Sequence, residues 1–420
     1  MTKKLWLVVL FSFMTVAASA DAPPVPTAGD GLTLRECYAL ALKRSETIAI
    51  QKEYVKETEG QLLQAFSAAL PRVAFAYSEK WQDITHNNTF GGASPEGKFT
   101  FTQPLFSGFK EFAAIAATRH LGKQRQLELK RARELLFTDV ADAFYLYASY
   151  QDSLDVLELT HKALLDRVDE LKRREAIGRS RSSEVASALA KLYSNEAAME
   201  GVRGQKSLTG ELVEFLIGRT FEKLSPEDLP SKDVPAEELY PKAAARADVQ
   251  AARENLELFR NNVTVMRAQF FPTVTLSGNS YTKRLDANEG NDWDATLAVN
   301  VPLFNGLNDF GQVNQARAQF HEADFQLSRA TRQALLEIRN AYTRLLSARE
   351  RFKALDRAVD GYEKNYELQA QDFQKSLVSN LDVLQAIQDL QGARSDRVTG
   401  KTDEQRAYWN LKVATGEVEL

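Results

Sequence analysis

The side chains that most often carry chemistry in proteins are few in this sequence and lie far apart. The 420 residues include four histidines and one cysteine, Cys37. One cysteine excludes a disulfide within the chain, and the histidines are too widely spaced for a local metal-binding motif. Residues 92–98 have the spacing of a phosphate-binding loop, but Phe99 stands where that loop requires serine or threonine. No nucleophile-elbow, HExxH or dinucleotide-binding motif is present, so we expect no enzymatic activity, cofactor or metal.

The charge balance excludes another class of function. The chain has 53 Lys and Arg residues against 57 Asp and Glu residues, a formal net charge of −4. A protein that binds nucleic acid through its phosphates needs a strong excess of basic side chains. We therefore expect no nucleic-acid partner.

The first residues have the composition of a targeting segment. Lys3 and Lys4 precede an apolar run over residues 5–16, and small residues follow at 18–20. This pattern predicts a secretory signal peptide over residues 1–20, followed by an extension over 21–31. The alternative is an uncleaved membrane anchor, but the run is short for a helix that must span about 30 Å of hydrocarbon. No later apolar run is long enough for a transmembrane helix, so a membrane-spanning part would have to consist of strands.

Two long segments of the chain repeat each other. Residues 103–108 read Gln-Pro-Leu-Phe-Ser-Gly, and residues 301–306 read Val-Pro-Leu-Phe-Asn-Gly. At the same offset, Glu184-Val185 matches Asp382-Val383. A repeat of this length indicates two homologous halves rather than a solenoid. We predict a first repeat over 32–217, a proline-containing linker over 218–236 and a second repeat over 237–420.

Each repeat is predicted to contain a helix, two strands, a very long helix, a short break and a returning helix. In the first repeat these are a helix over 32–69, strands over 71–86 and 97–106, a long helix over 108–176 and a returning helix that ends near 216. In the second repeat these are a helix over 237–270, strands over 272–286 and 293–304, a long helix over 306–375 and a returning helix that ends near 415. The chain breaks between the long helices at 178–182 and 376–380.

The long helices carry an apolar stripe whose members alternate three and four residues apart, which is typical of coiled coils. In the first repeat the stripe consists of Leu136, Val140, Ala143, Tyr147, Tyr150, Leu154, Leu157, His161, Leu164, Val168 and Leu171. The equivalent stripe of the second repeat runs from Ala334 to Tyr366. A helix of this length is a rod of about 100 Å. We therefore predict a mainly α fold of long coiled-coil helices with a small β part.

The predicted strands alternate apolar and polar side chains. Val73, Phe75 and Tyr77 share one face of the first strand, and Leu297 and Val299 share one face of the last. Strands of about ten residues with this alternation and with aromatic ends are typical of transmembrane barrels. A soluble β-sandwich fragment would alternate in the same way, but four strands alone make no sandwich core. Because an open sheet edge is excluded from lipid, a barrel would need the strands of two or more chains.

Together these features resemble the TolC family of bacterial outer-membrane efflux proteins. The signal peptide, the two repeats, the order of elements and the Pro-Leu-Phe-x-Gly at 104–108 and 302–306 carry the resemblance. It implies a homotrimer in which each chain gives four strands to one 12-stranded barrel in the outer membrane, with the helices forming a periplasmic tunnel. It also implies docking onto a periplasmic adaptor protein that is fed by an inner-membrane transporter, in drug efflux, metal-ion efflux or type I secretion.

The resemblance assigns roles to the two breaks, where family members have glycine, then serine or threonine, then an acidic residue and valine. Ser376 stands in place of the usual glycine of the second break, and Gln385 in place of a second acid that some members carry. The implied channel aperture consists of Asp382 and Gln385. The implied adaptor contacts at the two tips are Gly178, Ser183, Glu184, Ser376 and Leu381.

Two other interpretations stay open at this point. A secreted or periplasmic coiled-coil scaffold without a pore would share the long helices. An enzyme that uses dispersed acidic residues would leave no local motif. The alternation of the strands and their aromatic ends argue against the scaffold, and the lack of any local catalytic motif argues against the enzyme.

Overall fold

The computed structural model describes residues 31–81, 93–227, 229, 235–284 and 292–418. The predicted signal peptide over 1–20 and the extension up to residue 30 lie outside these residues, as do the ends of two predicted strands at 82–86 and 285–286. Among the helices of the described residues, none combines the length and the hydrophobicity needed to cross a bilayer.

The chain folds into two long helical hairpins and one small sheet. The helices are α1 (Leu34–Arg44), α2 (Glu46–Ser67), α3 (Lys110–Ala176), α4 (Ser182–Ile217), α5 (Ala236–Leu239), α6 (Ala247–Arg267), α7 (Asn308–Gln374) and α8 (Asn380–Thr415). Short 3-10 turns lie at Tyr240–Ala245 and Ala268–Phe270. The strands are β1 (Arg72–Trp81), β2 (Ala93–Ser107), β3 (Thr273–Arg284) and β4 (Trp293–Asn300), and they pair antiparallel in the order β1-β2-β3-β4.

The prediction of one continuous helix before each strand pair is wrong. In the first half the helix is interrupted at Ser45, whose backbone is extended, with φ −61° and ψ 116°. Ser45 ends α1 and also caps α2, because its hydroxyl accepts a hydrogen bond from the Ile48 amide at 3.3 Å. A serine that satisfies an unpaired amide in this way favours a helix start over a helix interior. In the second half the interruption lies at Arg246, which is extended in the same way.

The last strand is also shorter than predicted, because β4 ends at Asn300 rather than at 304. Its partner β3 begins at Thr273, which pairs with Asn300, and this ends the ladder between the two strands. The following Pro302 has no amide hydrogen with which to extend it. β2 instead begins earlier than predicted and continues past Pro104 through a shift in register.

The long helices pack through the predicted stripe. Every stripe position of α3 is buried or half-buried, and Leu164, Val168 and Leu171 are each at most 2% exposed. The stripe of α7 is less complete, since Tyr362 is 41% exposed. α3 packs against α4 and α8, and α7 packs against α8 and α6. A second aromatic core lies nearer the sheet, where the Trp409 indole donates a hydrogen bond to the Tyr145 hydroxyl at 2.9 Å.

The same backbone turn carries the chain from sheet to long helix in both halves. Gly108 and Phe109 have positive φ of 64° and 63°, and Gly306 and Leu307 have 60° and 66°. The surroundings of the two glycines differ. A Cβ on Gly108 would lie 2.8 Å from both the Ala268 carbonyl oxygen and the Phe271 Cβ, whereas a Cβ on Gly306 would meet nothing within 4 Å.

We predict that Gly108→Ala destabilises the protein more than Gly306→Ala does. Both substitutions place an L side chain in left-handed backbone, at a cost of about 1–2 kcal/mol. Only Gly108→Ala adds a clash with backbone that cannot move away cheaply. The measurement is the midpoint of thermal unfolding of the detergent-purified protein, followed by circular dichroism. Equal midpoints for the two variants would contradict the packing described at Gly108.

Candidate functional site at the helical tips

The two long hairpins end in loops of the same geometry. We call residues 171–185 the first tip and residues 369–383 the second tip, so that each tip consists of a helix end, the loop and the start of the returning helix. In the first tip the amide of Gly178 donates to the Glu175 carbonyl at 2.9 Å, and that of Arg179 donates to the Arg174 carbonyl at 2.8 Å. The second tip repeats both bonds at Ser376 and Leu377. This pair of bonds is the Schellman motif, which ends a helix with one residue in left-handed backbone.

Ser376 adopts the conformation that glycine adopts in the first tip. Its φ is 60°, and that of Gly178 is 72°. The missing glycine therefore leaves the turn unchanged in hand and in hydrogen bonding. The serine instead holds a conformation that L residues adopt at a cost.

The predicted acidic residues cap the returning helices. Asp382 occupies the third position of α8, and its Oδ2 accepts hydrogen bonds from the Ser379 amide at 2.8 Å and the Ser379 hydroxyl at 2.6 Å. Glu184 occupies the same position of α4, and its Oε2 accepts from the Arg181 amide at 3.1 Å and the Ser180 hydroxyl at 2.5 Å. Each carboxylate satisfies a backbone donor that a helix start leaves open.

These hydrogen bonds hold both carboxyl groups in the ionised form. The Ser379 hydroxyl and amide lower the pKa of Asp382 below its ordinary value. The Ser180 hydroxyl and the Arg181 amide lower the pKa of Glu184 in the same way. A carboxyl group whose pKa is lowered stays charged at every pH above its ordinary value. Both tips therefore present a fixed negative charge at neutral pH.

A buried polar contact joins the two tips inside one chain. Arg167 of α3, which is 6% exposed, donates from Nε to the Asn380 side-chain oxygen of α8 at 2.8 Å. The Asn380 amide in turn donates to the Glu184 carbonyl oxygen at 3.4 Å. The guanidinium carbons of Arg167 and Arg174 lie 3.6 Å and 4.4 Å from the ring centre of Phe373 on α7. Burial lowers the pKa of Arg167, and Glu170, at 2.8 Å, favours its charged form.

The structure brings the predicted site residues together within each tip. Ser183, Leu381 and Asp382 are exposed at the starts of the returning helices, and Glu184 is half-buried. Gln385 lies one turn after Asp382, and its amide donates to Asp389 Oδ1 at 2.7 Å. Sequence reasoning missed Arg167, Phe373 and Asn380, because positions far apart in the chain form this contact only after folding.

The other residues whose types could carry chemistry, such as Cys37 and His161, lie in packing contacts of the helices. Cys37 is fully buried, and burial raises the pKa of its thiol to about 12, so the thiol stays protonated. Within the described ranges, no group of three or more His, Cys, Asp or Glu residues could hold a metal ion. His161 is half-buried on the α3 stripe, and its Nε2 lies 3.2 Å from Glu196.

Comparison with known proteins decides the family. The family model described as outer membrane efflux protein matches residues 37–219 and again residues 239–417. The chain belongs to this family. The resemblance to the TolC family is thereby confirmed, as are the expected outer-membrane location and the absence of enzymatic activity, because family members are outer-membrane channel proteins.

Individual relatives agree with this assignment. The chain is 22% identical over 332 residues to the outer membrane protein TolC of Vibrio cholerae, covering 75% of each chain. It is 21% identical over an alignment of 428 residues to the alkaline protease secretion protein AprF of Pseudomonas aeruginosa, covering 92% of this chain and 87% of AprF. Its fold matches the crystal structure of VceC from Vibrio cholerae with a TM-score of 0.81 at 24% identity, covering 91% of this chain and 96% of VceC. It matches CusC with a TM-score of 0.83 at 17% identity, covering 95% and 98%.

We predict that Ser376→Gly stabilises the second tip and that Gly178→Ser destabilises the first, each by about 1 kcal/mol. The reason is that only glycine adopts left-handed backbone without steric cost, and a Cβ at 178 would meet nothing within 4 Å. The measurement is hydrogen exchange of the tip amides, read by mass spectrometry. Exchange should slow at Leu377 in the first variant and quicken at Arg179 in the second. Unchanged rates in both variants would contradict the argument.

Proposed function

We propose that the chain is the outer-membrane channel of a tripartite efflux or type I secretion system, and that it forms a passive conduit as a homotrimer. The observation that carries this proposal is the four-stranded sheet. Within the described residues, β1 and β4 each have a strand neighbour on one side only. Such edges must be paired before a sheet can enter hydrocarbon, and three copies would supply the 12 strands of one closed barrel.

The two faces of the sheet fit a barrel wall. One face carries exposed large apolar side chains on three of the four strands, at Val73, Phe75, Tyr77, Phe99, Phe101, Trp293, Leu297 and Val299. The other face carries a connected row of polar groups. Thr100 donates to the Asn279 side chain at 2.9 Å, Asn279 donates to Asp294 at 2.9 Å, and the Tyr281 hydroxyl donates to Asp294 at 2.6 Å. An apolar outer face against lipid and a polar inner face toward water would place each in its preferred solvent.

The helices would form the periplasmic part of the conduit. α3 and α7 have 67 residues each, and a helix of that length spans about 100 Å. The tips lie at the end of these helices that is remote from the sheet, where a periplasmic adaptor protein and, beyond it, an inner-membrane transporter would meet the channel. AprF is a secretion protein by name, and the family model names efflux, which supports a conduit for one of these two tasks.

We assign the channel aperture to Asp382 and Gln385. In a homotrimer three copies of Asp382 would face one axis at the inner mouth. Since the Ser379 hydrogen bonds lower the pKa of Asp382, the ring would stay charged at neutral pH. A ring of carboxylates favours cations over anions.

The trimer is tested by mass. We expect the protein to require detergent for extraction and to have the mass of three chains when native mass spectrometry is performed in detergent. A monomeric mass, or recovery in the soluble fraction without detergent, would contradict the channel and favour the scaffold.

The aperture is tested by single-channel recording in planar bilayers. Asp382→Asn should lower cation selectivity and weaken block by trivalent cations, while the matched variant Glu184→Gln should change neither. Cation selectivity of the unmodified channel should fall on acidification as the carboxylates are neutralised, since the Ser379 hydrogen bonds lower the pKa of Asp382 while repulsion among three carboxylates raises it. Unchanged selectivity and block in Asp382→Asn would reduce this residue to a helix cap.

A further inference from the structure

The two tips share a backbone but differ in charge. Between Leu171 and Val185 the chain has five basic and two acidic side chains, whereas the equivalent residues 369–383 have one basic and two acidic. Apolar side chains fill the second tip instead, where Leu377 and Leu381 are 69% and 68% exposed. The first tip is therefore basic and the second is apolar and weakly acidic.

Most of the basic side chains of the first tip form no ion pair with another described residue. Arg174 is the exception, since it pairs with Glu170 at 2.9 Å and lies against Phe373. Lys172, Arg173 and Arg179 are exposed and take part in no ion pair among the described residues. Their charges are available to a partner.

Helix electrostatics account for only part of this set. Lys172 and Arg173 lie at the end of α3, where the helix dipole favours positive charge. Arg179 and Arg181 lie instead before α4, at a helix start that disfavours positive charge. α7 has no basic residue in its last turn and only Lys375 at its C-cap, which pairs with Asp372 at 3.5 Å, so the dipole does not require the additional bases of the first tip.

Arg181 also occupies a position that a capping residue would fill better. In the second tip this position is Ser379, whose hydroxyl accepts a hydrogen bond from the Asp382 amide. Arg181 has no side-chain capping bond. The first tip thus lacks a side-chain cap at a residue whose positive charge is offset inside the chain only by Glu184, which supports a contact of this charge outside the chain.

We propose that the first tip binds an acidic segment of the periplasmic adaptor, and that the second tip receives an apolar part of the same partner through Leu377 and Leu381. This rests on the proposed function and names the chemistry of its partner. An anionic lipid surface is the less suitable occupant. Both tips end helices of equal length, so a uniformly negative surface would attract the first tip and repel the carboxylate of the second.

The test places a photo-crosslinking amino acid at Ile177 or Leu377 in full-length protein and measures adducts in cell envelopes that contain the native adaptor. K172E/R173E/R179E should lower the adaptor adduct at Ile177 by roughly tenfold, the combined effect of three exposed ion pairs. The adduct at Leu377 should fall much less. The matched control, K353E/R357E/K364E, reverses the charge of three exposed basic residues of α7 that lie nearer the sheet than the second tip does. It should change neither adduct.

Two further variants make the outcome specific. Arg181→Ser should leave the trimer mass unchanged and still lower the Ile177 adduct, because it adds a cap while it removes a charge. Replacement of the acidic residues of the crosslinked adaptor segment by lysine should restore the Ile177 adduct of the K172E/R173E/R179E variant.

The possible failures are distinguishable. Absence of adaptor adducts at both positions of the unmodified protein would contradict the proposed function itself. Adducts that persist in K172E/R173E/R179E, or that fall equally in the control, would overturn the acidic-partner proposal alone. Phospholipid adducts at Ile177 would overturn it in favour of a membrane surface.

Discussion

Each long helix buries one stripe of side chains against its returning partner, and the positions of the tips depend on this contact. The stripe repeats every seven residues, so a one-turn slip between α3 and α4 would misalign every layer from Leu171 back toward Val140. The aligned layers hold Val185 and Ala188 against the last turns of α3. Because that register is fixed, the loop between the helices can close in a few residues with one left-handed backbone position.

The long helices could be predicted from sequence almost to their last residue, whereas the shorter ones could not. The stripe continues for many turns, and the helices that carry it lie between Gly108 and Gly178 and between the corresponding positions of the second half. The break at Ser45 has no such signal, because the residues on both sides suit a helix and only the local hydrogen bond to Ile48 favours a new start. Arg246 is similar, since its extended backbone accompanies a buried guanidinium that pairs with Glu337 of α7 at 2.7 Å. That partner is distant in sequence.

The candidate site shows the same division between local and distant information. The acidic residues at 184 and 382 follow a helix break at a capping position, so their place in the fold could be predicted. The conformation of Ser376 could not, because its serine argues against left-handed backbone, and the neighbouring helices impose it. Comparison of the two tips shows this, because Gly178 adopts the same left-handed backbone without a side chain.

The link between Arg167 and Asn380 limits how the tips can move. Asn380 accepts a hydrogen bond from the buried guanidinium, and the loss of a hydrogen bond to a charged group costs about 1.5–3 kcal/mol even though Glu170 still pairs with Arg167. One guanidinium nitrogen of Arg167 already lacks a hydrogen-bond partner among the described residues. Loss of the Asn380 hydrogen bond would leave a second buried nitrogen of the same guanidinium unpaired. Asn380 is the first residue of α8, two positions before Asp382. Any movement of α8 away from α3 must therefore break the Arg167 contact and carry the Asp382 carboxylate with it, so the position of this charge and the packing of the two hairpins cannot change independently.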